Sequence, residues 1–179
     1  MSEPDDTKLM ERCSKGDRQA FEMLLIRYEK PVFNAAYRML NSPDDARDVT
    51  QTVFLKVFEH VDQYDPKYRF FSWIYRITLN ESINWLKKSN RMDALEGDTA
   101  DTGRNPEQEA SNTELGEGMQ AALMTISPDY RAVIVLKHLL GCSYQEIAEV
   151  LEIPENKVKS RLFTARKLLQ EHLTERGLH

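Results

Sequence analysis

The sequence has few of the residues that build disulfide frameworks, and it has no long apolar run. Its 179 residues include two cysteines, Cys13 and Cys142, which are far apart along the chain. A disulfide framework is therefore not expected, and a reducing, cytoplasmic location is predicted. No apolar stretch of about 18 residues occurs, so we expect no membrane insertion. The acidic, polar start MSEPDDTKLMER is unlike a secretion signal.

The motifs of enzymes and metalloproteins are also missing. The four histidines are scattered, and no Cys/His group has the spacing of zinc ligands. No Ser/His/Asp arrangement, P-loop or glycine-rich phosphate motif occurs. We therefore expect a protein that is not an enzyme, with no catalytic residues, no metal site and no cofactor.

Strand patterns are poor and helical periodicity dominates, which predicts an all-α protein. We expect two small helical domains: an N-terminal helical bundle in residues 1–91 and a C-terminal four-helix domain in residues 118–179. Residues 92–117 are rich in Asp, Glu, Gly, Asn and Thr and lack apolar periodicity, which predicts a flexible acidic linker.

Caps and prolines indicate where the N-terminal helices begin and end. A helix should begin near Asp17 and be broken or kinked at Pro31. Ser42-Pro43 predicts a second start, with Ser42 as N-cap and proline in the first turn. Residues 61–69 are expected to be a loop, and the helix after it should run from about Phe71 to Lys88.

Residues 143–167 have the pattern of a helix-turn-helix. Ser143 and Glu146 form a capping-box pattern, and Pro154 can begin a second helix after a short turn. An apolar stripe should be buried on one face of that helix, at Val158, Leu162, Ala165 and Leu169. The other face is basic and suits the DNA major groove. The simpler alternative is a solvated basic face with no DNA partner.

Positive charge is confined to two places although the net charge is −5. Residues 67–91 contain six basic residues and one acidic residue, and residues 92–118 contain one basic and eight acidic residues. The second basic group is 157–167. Because the local field governs contact with a polyanion, the negative net charge does not exclude DNA binding.

Residues 67–91 also contain six aromatic residues, which could stack on unpaired bases while Arg and Lys hold phosphates. Contact with opened or single-stranded DNA is therefore predicted. The alternative is that the aromatic residues form a core. We expect this of Phe71, Ile74 and Trp85, whereas the loop residues Tyr64, Tyr68 and Phe70 are expected to stay outside it.

The sequence resembles the compact extracytoplasmic-function (ECF) type of bacterial sigma factor. One conserved region of that family matches AFEMLLIRYEKPVFNAAYRML, DDARDVTQTVFLKVFEHVDQYD and FFSWIYRITLNESINWLKKSNR. The other matches ISPDYRAVIVLKHLLGCSYQEIAEVLEIPENKVKSRLFTARKLLQEHL. The resemblance implies a protein that binds core RNA polymerase and directs it to promoters, reading the −10 element with one domain and the −35 element with the other. It also implies an anti-sigma factor as a partner.

The resemblance further implies roles for individual residues. The clamp coiled coil of the polymerase would be contacted by Asp45, Asp48, Gln51, Phe54 and Leu55, and the polymerase flap is a second expected contact. The −10 element would be contacted by Tyr64, Tyr68, Arg69, Phe70, Asn80, Lys87, Lys88 and Arg91. The −35 element would be contacted by Lys157, Lys159, Ser160, Arg161, Thr164 and Arg166. The alternative is a stand-alone helix-turn-helix regulator, which would not need the aromatic and basic block at 67–91.

Overall fold

The computed structural model describes residues 5–96 and 114–177. All regular secondary structure in these two ranges is helical, which confirms the predicted all-α class. The α-helices are α1 (Asp6–Ser14), α2 (Arg18–Leu40), α3 (Pro43–Glu59), α4 (Phe70–Glu96), α5 (Glu114–Thr125), α6 (Pro128–Ile134), α7 (Tyr144–Leu151) and α8 (Glu155–Glu175). Within the described ranges, no helix is both long enough and apolar enough to cross a bilayer.

Helices α1 to α4 form the N-terminal bundle. Its core is built from apolar stripes at helical spacing, with fully buried residues such as Leu24, Val32, Val53 and Ile74. Helix α1 is fixed to α2 through Asp6, which accepts a hydrogen bond of 2.5 Å from the hydroxyl of Tyr28 and forms an ion pair with Arg27.

The predicted starts of α2 and α3 are confirmed by their caps. Asp17 accepts hydrogen bonds from the backbone N–H groups of Gln19 and Ala20, at 3.0 and 3.3 Å. Ser42 accepts one from the N–H of Asp45 at 3.3 Å, and Pro43 occupies the first turn. These side chains satisfy N–H groups that have no partner within their helices.

The predicted break at Pro31 is wrong, because α2 continues through it to Leu40. An interior proline removes one helical hydrogen bond and costs about 3 kcal/mol. Buried residues lie on both sides of it along one stripe: Tyr28, Val32, Ala35 and Ala36. Packing of this stripe against α3 and α4 offsets the cost, so tertiary contacts override the local signal.

Helix α4 extends to Glu96, beyond the end expected at Lys88 and beyond residue 91. Residues 89–96 contain no glycine or proline, and the exposed polar side chains of Asn90, Arg91 and Asp93 suit a solvated helix. Helix α5 likewise begins at Glu114, inside the predicted linker. The ends of the predicted linker are therefore helical, and its remainder, residues 97–113, lies outside the described residues.

Helices α5 to α8 form the C-terminal domain around Leu136, Ile147 and Leu162. Helix α6 begins after Ser127 with Pro128 in its first turn, and the Ser127 side chain makes no capping bond. A π-helical turn, Val135–Leu139, follows it directly. Gly141 then adopts φ of 68°, the left-handed conformation that glycine reaches without strain.

Both cysteines lie in environments that keep their thiols protonated. Cys142 is 1% exposed, and burial, followed by the nearby Glu146 carboxylate, raises the pKa of its thiol to about 11. Partial burial also raises the pKa of the Cys13 thiol. Since the thiolate is the reactive form, neither site favours redox chemistry.

A buried arginine joins the two domains. Arg131, at 5% exposure, donates to the backbone carbonyls of Leu123 at 2.9 Å, Ile126 at 3.1 Å and Met124 at 3.5 Å, and also to that of Met39 in α2. These carbonyls lie at the C-terminal ends of α5 and α2, where the helix dipole favours a cation. Burial lowers the pKa of the guanidinium.

Replacing Arg131 with methionine should lower the free energy of unfolding by about 2–3 kcal/mol, because buried carbonyl groups lose their donors. Urea denaturation followed by circular dichroism measures the change. Arg18→Met, at an exposed position, is the control and should change stability by less than about 0.5 kcal/mol. Equal stability of the two variants would contradict the role given to Arg131.

Candidate nucleic-acid interface

The helix-turn-helix begins with the capping box that the sequence predicts. The N–H of Glu146 donates to the Ser143 hydroxyl at 3.1 Å, and the N–H of Ser143 donates to the Glu146 carboxylate at 2.8 Å. The Ser143 backbone N–H bond is the main cause that lowers the pKa of Glu146. Glu152 ends α7 in the left-handed conformation, and Pro154 is the N-cap of α8.

Helix α8 buries the apolar stripe predicted for it, at Val158, Leu162, Ala165 and Leu169. The candidate −35 residues lie away from this stripe. Arg161 and Thr164 are half-exposed, and the exposed members are Lys157, Lys159, Ser160 and Arg166. The helix therefore has the packed back and basic front that a major-groove helix requires.

Neighbouring side chains orient two of these cations. The ammonium of Lys159 lies 3.1 Å from Glu155 and 5.6 Å from the ring centroid of Tyr144. Arg166 donates through Nε to Nε2 of His138 at 3.3 Å. Partial burial, Arg166 and Lys137 lower the pKa of His138, so its imidazole is neutral at pH 7 and can accept this bond.

Phe163 belongs to the exposed face of α8 and was missed by the sequence analysis. Its side chain is 72% exposed between Lys159 and Arg166. An aromatic ring can make apolar contact with the methyl group of thymine in the major groove. The sequence did indicate that Phe163 is exposed, because it directly follows Leu162 of the buried stripe and therefore lies on a different face of the helix.

The loop before α4 exposes some of the predicted aromatic residues and buries one of them. Tyr68 is 46% exposed and Arg69 is exposed, whereas Tyr64 is half-buried and donates its hydroxyl to the carbonyl of Tyr68 at 2.8 Å. The expectation that Phe70 stays outside the core is wrong. Phe70 is 1% exposed, and its ring centroid lies 5.1 Å from that of Tyr28.

Phe70 is buried because it is the first residue of α4, and that turn packs on α2. Its contribution to the loop is therefore to hold Tyr64, whose ring centroid is 6.1 Å away. Of the residues expected to be inward, Ile74 is fully buried, while Phe71 and Trp85 are half-buried.

Helix α4 aligns three of the candidate −10 residues on one face. Asn80, Lys87 and Arg91 are all exposed and are separated by seven and four residues, so they share the side opposite the buried Thr78. Arg69 and Arg76 extend the same stripe toward the start of the helix. We call these five residues the α4 stripe; Lys88, also exposed, lies beside it.

The candidate polymerase contacts lie on α3. Asp48, Gln51 and Leu55 are exposed on one face, and Asp45 is half-exposed one turn earlier. Phe54, in contrast, is 6% exposed and is a core residue, so it is not available for direct contact. Phe58, which was not among the predicted contacts, is 60% exposed on the face of Leu55 and packs edge-on against Phe21.

Comparison with known proteins identifies the family. The Sigma-70 region 2 model matches residues 24–92, and the Sigma-70 region 4 model matches residues 117–169. The ECF RNA polymerase sigma-E factor of Escherichia coli (strain K12) is 33% identical over 176 residues, covering 92% of each chain. The ECF sigma factor SigW of Bacillus subtilis (strain 168) is 30% identical over 180 residues, covering 94% of this chain and 96% of its own.

Solved structures share the fold. The sigma factor RpoE, in complex with the anti-sigma factor NepR from Bartonella quintana, has a TM-score of 0.74 at 24% identity, covering 86% of this chain and 96% of that chain. CnrH, in complex with the cytosolic domain of CnrY, has a TM-score of 0.72 at 24% identity, covering 95% and 97%.

The chain therefore belongs to the sigma-70 family of transcription initiation factors. Within that family it is an ECF sigma factor, which directs RNA polymerase to promoters. Because both regions are present in one chain, it is not a stand-alone helix-turn-helix regulator. Sigma factors are transcription initiation factors and not enzymes.

Removing the capping hydroxyl should weaken the helix-turn-helix. Ser143→Ala is expected to lower the free energy of unfolding by about 1 kcal/mol, because the N–H of Glu146 loses its acceptor. Ser127→Ala is a matched control, since Ser127 also precedes a helix but makes no side-chain cap. Thermal unfolding of both variants gives the comparison, and an equal loss from both would count against the capping role.

Proposed function

We propose that this ECF sigma factor reads the −35 element with the exposed face of α8. The observation that supports this assignment is the charge of the helix. Residues 156–170 include no acidic residue, so α8 has a basic exposed face opposite its buried apolar stripe. Arg161 is the expected principal reader, because an arginine that bonds one guanine through two hydrogens gives about 1–3 kcal/mol of discrimination. Its partners on the face are Lys157, Lys159, Ser160, Thr164 and Arg166.

We further propose that the N-terminal domain reads and opens the −10 element. Tyr64, Tyr68 and Arg69 border the site for an unpaired base, and Phe70 supports it from the core. Asn80 offers donors and an acceptor for a base edge. Lys87, Lys88 and Arg91 continue along α4 toward the linker and suit backbone phosphates. This division assigns residues 5–96 to −10 recognition and residues 114–177 to −35 recognition.

We propose that core RNA polymerase is contacted chiefly by the exposed face of α3, with the C-terminal domain contacting the flap. Asp48, Gln51 and Leu55 combine polar and apolar contact on this face, with Asp45 beside them and Phe54 packed beneath. Phe58 adds an exposed ring. Such a mixture of apolar anchor and polar rim is typical of protein interfaces. The surface suits a polymerase helix such as those of the clamp coiled coil.

We propose an anti-sigma factor as a second protein partner and the cytoplasm as the location. The sigma factor RpoE, which shares this fold, was solved in complex with the anti-sigma factor NepR, and CnrH, of the same fold, was solved with the cytosolic domain of CnrY. A partner that covers the polymerase-binding face would keep the chain inactive. A pull-down from cells with and without core polymerase in excess tests whether the two partners compete.

Arg161→Ala should weaken selection of the −35 element while core binding is retained. We expect roughly a 10-fold loss of transcription from a −35-dependent promoter, since about 1.4 kcal/mol corresponds to tenfold. Promoters are first found by transcribing genomic fragments with purified core polymerase and the wild-type chain. Arg176→Ala, at the exposed end of α8, is the control. Loss of core binding by Arg161→Ala in gel filtration would contradict the assignment.

Asn80→Ala should slow opening of the −10 element without changing the affinity for duplex −35 DNA, because its amide bonds to a base only after strands separate. Permanganate footprinting of the holoenzyme on the same promoters follows the rate of opening. Asn90→Ala, exposed on α4 but off the stripe, is the matched control. Unchanged opening kinetics would show that Asn80 is not a base contact.

A further inference from the structure

Helix α7 of the C-terminal domain lies against the start of α4 and covers part of the α4 stripe. Arg69 forms an ion pair with Glu146, and the Ser72 hydroxyl donates to the Glu149 carboxylate at 3.3 Å. Arg76 reaches two partners on α7: it donates to the backbone carbonyl of Glu149 at 2.7 Å and lies 3.2 Å from the Glu152 carboxylate. We call these six residues the clasp: Arg69, Ser72, Arg76, Glu146, Glu149 and Glu152.

The clasp places carboxylates where the stripe would meet phosphates. Glu146 and Glu149 are three residues apart on one side of α7, and Glu152 directly follows the last residue of the helix. Carboxylates and phosphates are both negatively charged and accept hydrogen bonds through oxygen, and arginine binds each of them with the same planar fork. A guanidinium held by a carboxylate of α7 is therefore not free to hold DNA.

We propose that the clasp is an autoinhibitory contact, in which α7 substitutes for DNA on the first part of the −10 surface until the domains separate. The inference rests on the proposed −10 role of the α4 stripe. The remaining stripe residues, Asn80, Lys87 and Arg91, stay exposed in the closed chain. Closure therefore engages the guanidinium groups of Arg69 and Arg76 and leaves the linker end of the stripe open to DNA.

The clasp has the properties of a contact that opens readily. Arg69 and Glu152 each keep 67% of their side chains exposed, and water and salt screen such ion pairs. Arg76 is less exposed, and its Nε is buried without a hydrogen-bond partner among the described residues. A buried donor without an acceptor destabilises the closed form, and opening relieves it.

The polar bonds between α2 and the C-terminal domain also allow the domains to separate. Of the four carbonyls that accept from Arg131, those of Leu123, Met124 and Ile126 belong to its own domain, and only that of Met39 lies in the N-terminal domain. When the domains part, the cation therefore keeps most of its acceptors. Gln120, which bonds to Arg38 and to the carbonyl of Tyr37, loses partners that water can replace.

The test neutralises two carboxylates of the clasp and leaves the capping box intact. Glu149→Gln with Glu152→Gln is compared with Glu117→Gln with Glu171→Gln, which changes the charge of the same domain equally at exposed positions outside the clasp. Small-angle scattering at low salt measures the radius of gyration. Fluorescence anisotropy measures binding of a short, labelled, A/T-rich single strand to the free chain.

We expect the clasp variant to have a larger radius of gyration and to bind the single strand about five- to tenfold more tightly, because more of the chain is in the competent, open form. The control pair should match the wild type in both measurements. Glu152→Lys, a single surface change that puts like charges together at Arg76, should open the chain further. Circular dichroism checks that each variant is folded.

Two results would overturn the proposal, and only the second also bears on the proposed −10 role of the α4 stripe. A radius of gyration that is unchanged in the clasp variant and in Glu152→Lys shows that these carboxylates do not hold the domains together. Opening without tighter binding shows that the clasp hides no DNA-binding surface. If the chain opens without tighter binding, promoter opening by the Arg69→Ala holoenzyme tests whether the α4 stripe contacts the −10 element at all. Normal promoter opening would mean that the −10 role of the stripe is wrong.

Discussion

The buried guanidinium of Arg131 is the interaction on which the arrangement of this protein depends. It lies where the carbonyl ends of α5 and α2 converge, and it stabilises both ends with one positive charge. It therefore organises the C-terminal domain, and its bond to the carbonyl of Met39 joins that domain to the N-terminal bundle. The contact of α7 with the start of α4 is a separate one, made through Arg69, Ser72 and Arg76.

Two basic surfaces on a chain of net negative charge make up the functional part of the molecule. Helix α8 presents a regular basic face that suits duplex DNA. The α4 stripe and the loop before it combine cations with aromatic rings, which suits unpaired bases. Each surface alone would define a simple DNA-binding module. Their presence in one chain, with the exposed face of α3 proposed to bind core polymerase, is what a promoter-directing subunit requires.

Local chemistry allowed much of this to be predicted from the sequence. Caps such as Ser42 and Ser143 act over three residues, and the apolar stripe of α8 repeats within one helix, so both are visible without the fold. Features that depend on packing were mispredicted. Pro31 stays inside α2 because the helix is held by its neighbours, and Phe70 is buried because α2 lies beside it. The clasp joins residues 73 or more positions apart, and no periodicity signals such a contact.

The extension of α4 to Glu96 limits how far apart the two proposed DNA-binding surfaces can be. A helix of 27 residues is about 40 Å long, and it carries the chain away from the loop before α4 as a rigid rod. Only 17 residues separate its end from the start of α5 at Glu114, and that length of chain can span at most about 60 Å. The protein thus has a built-in upper bound on the separation of the two promoter elements that one molecule can hold at once. A longer DNA spacer must be bent or twisted to be bound.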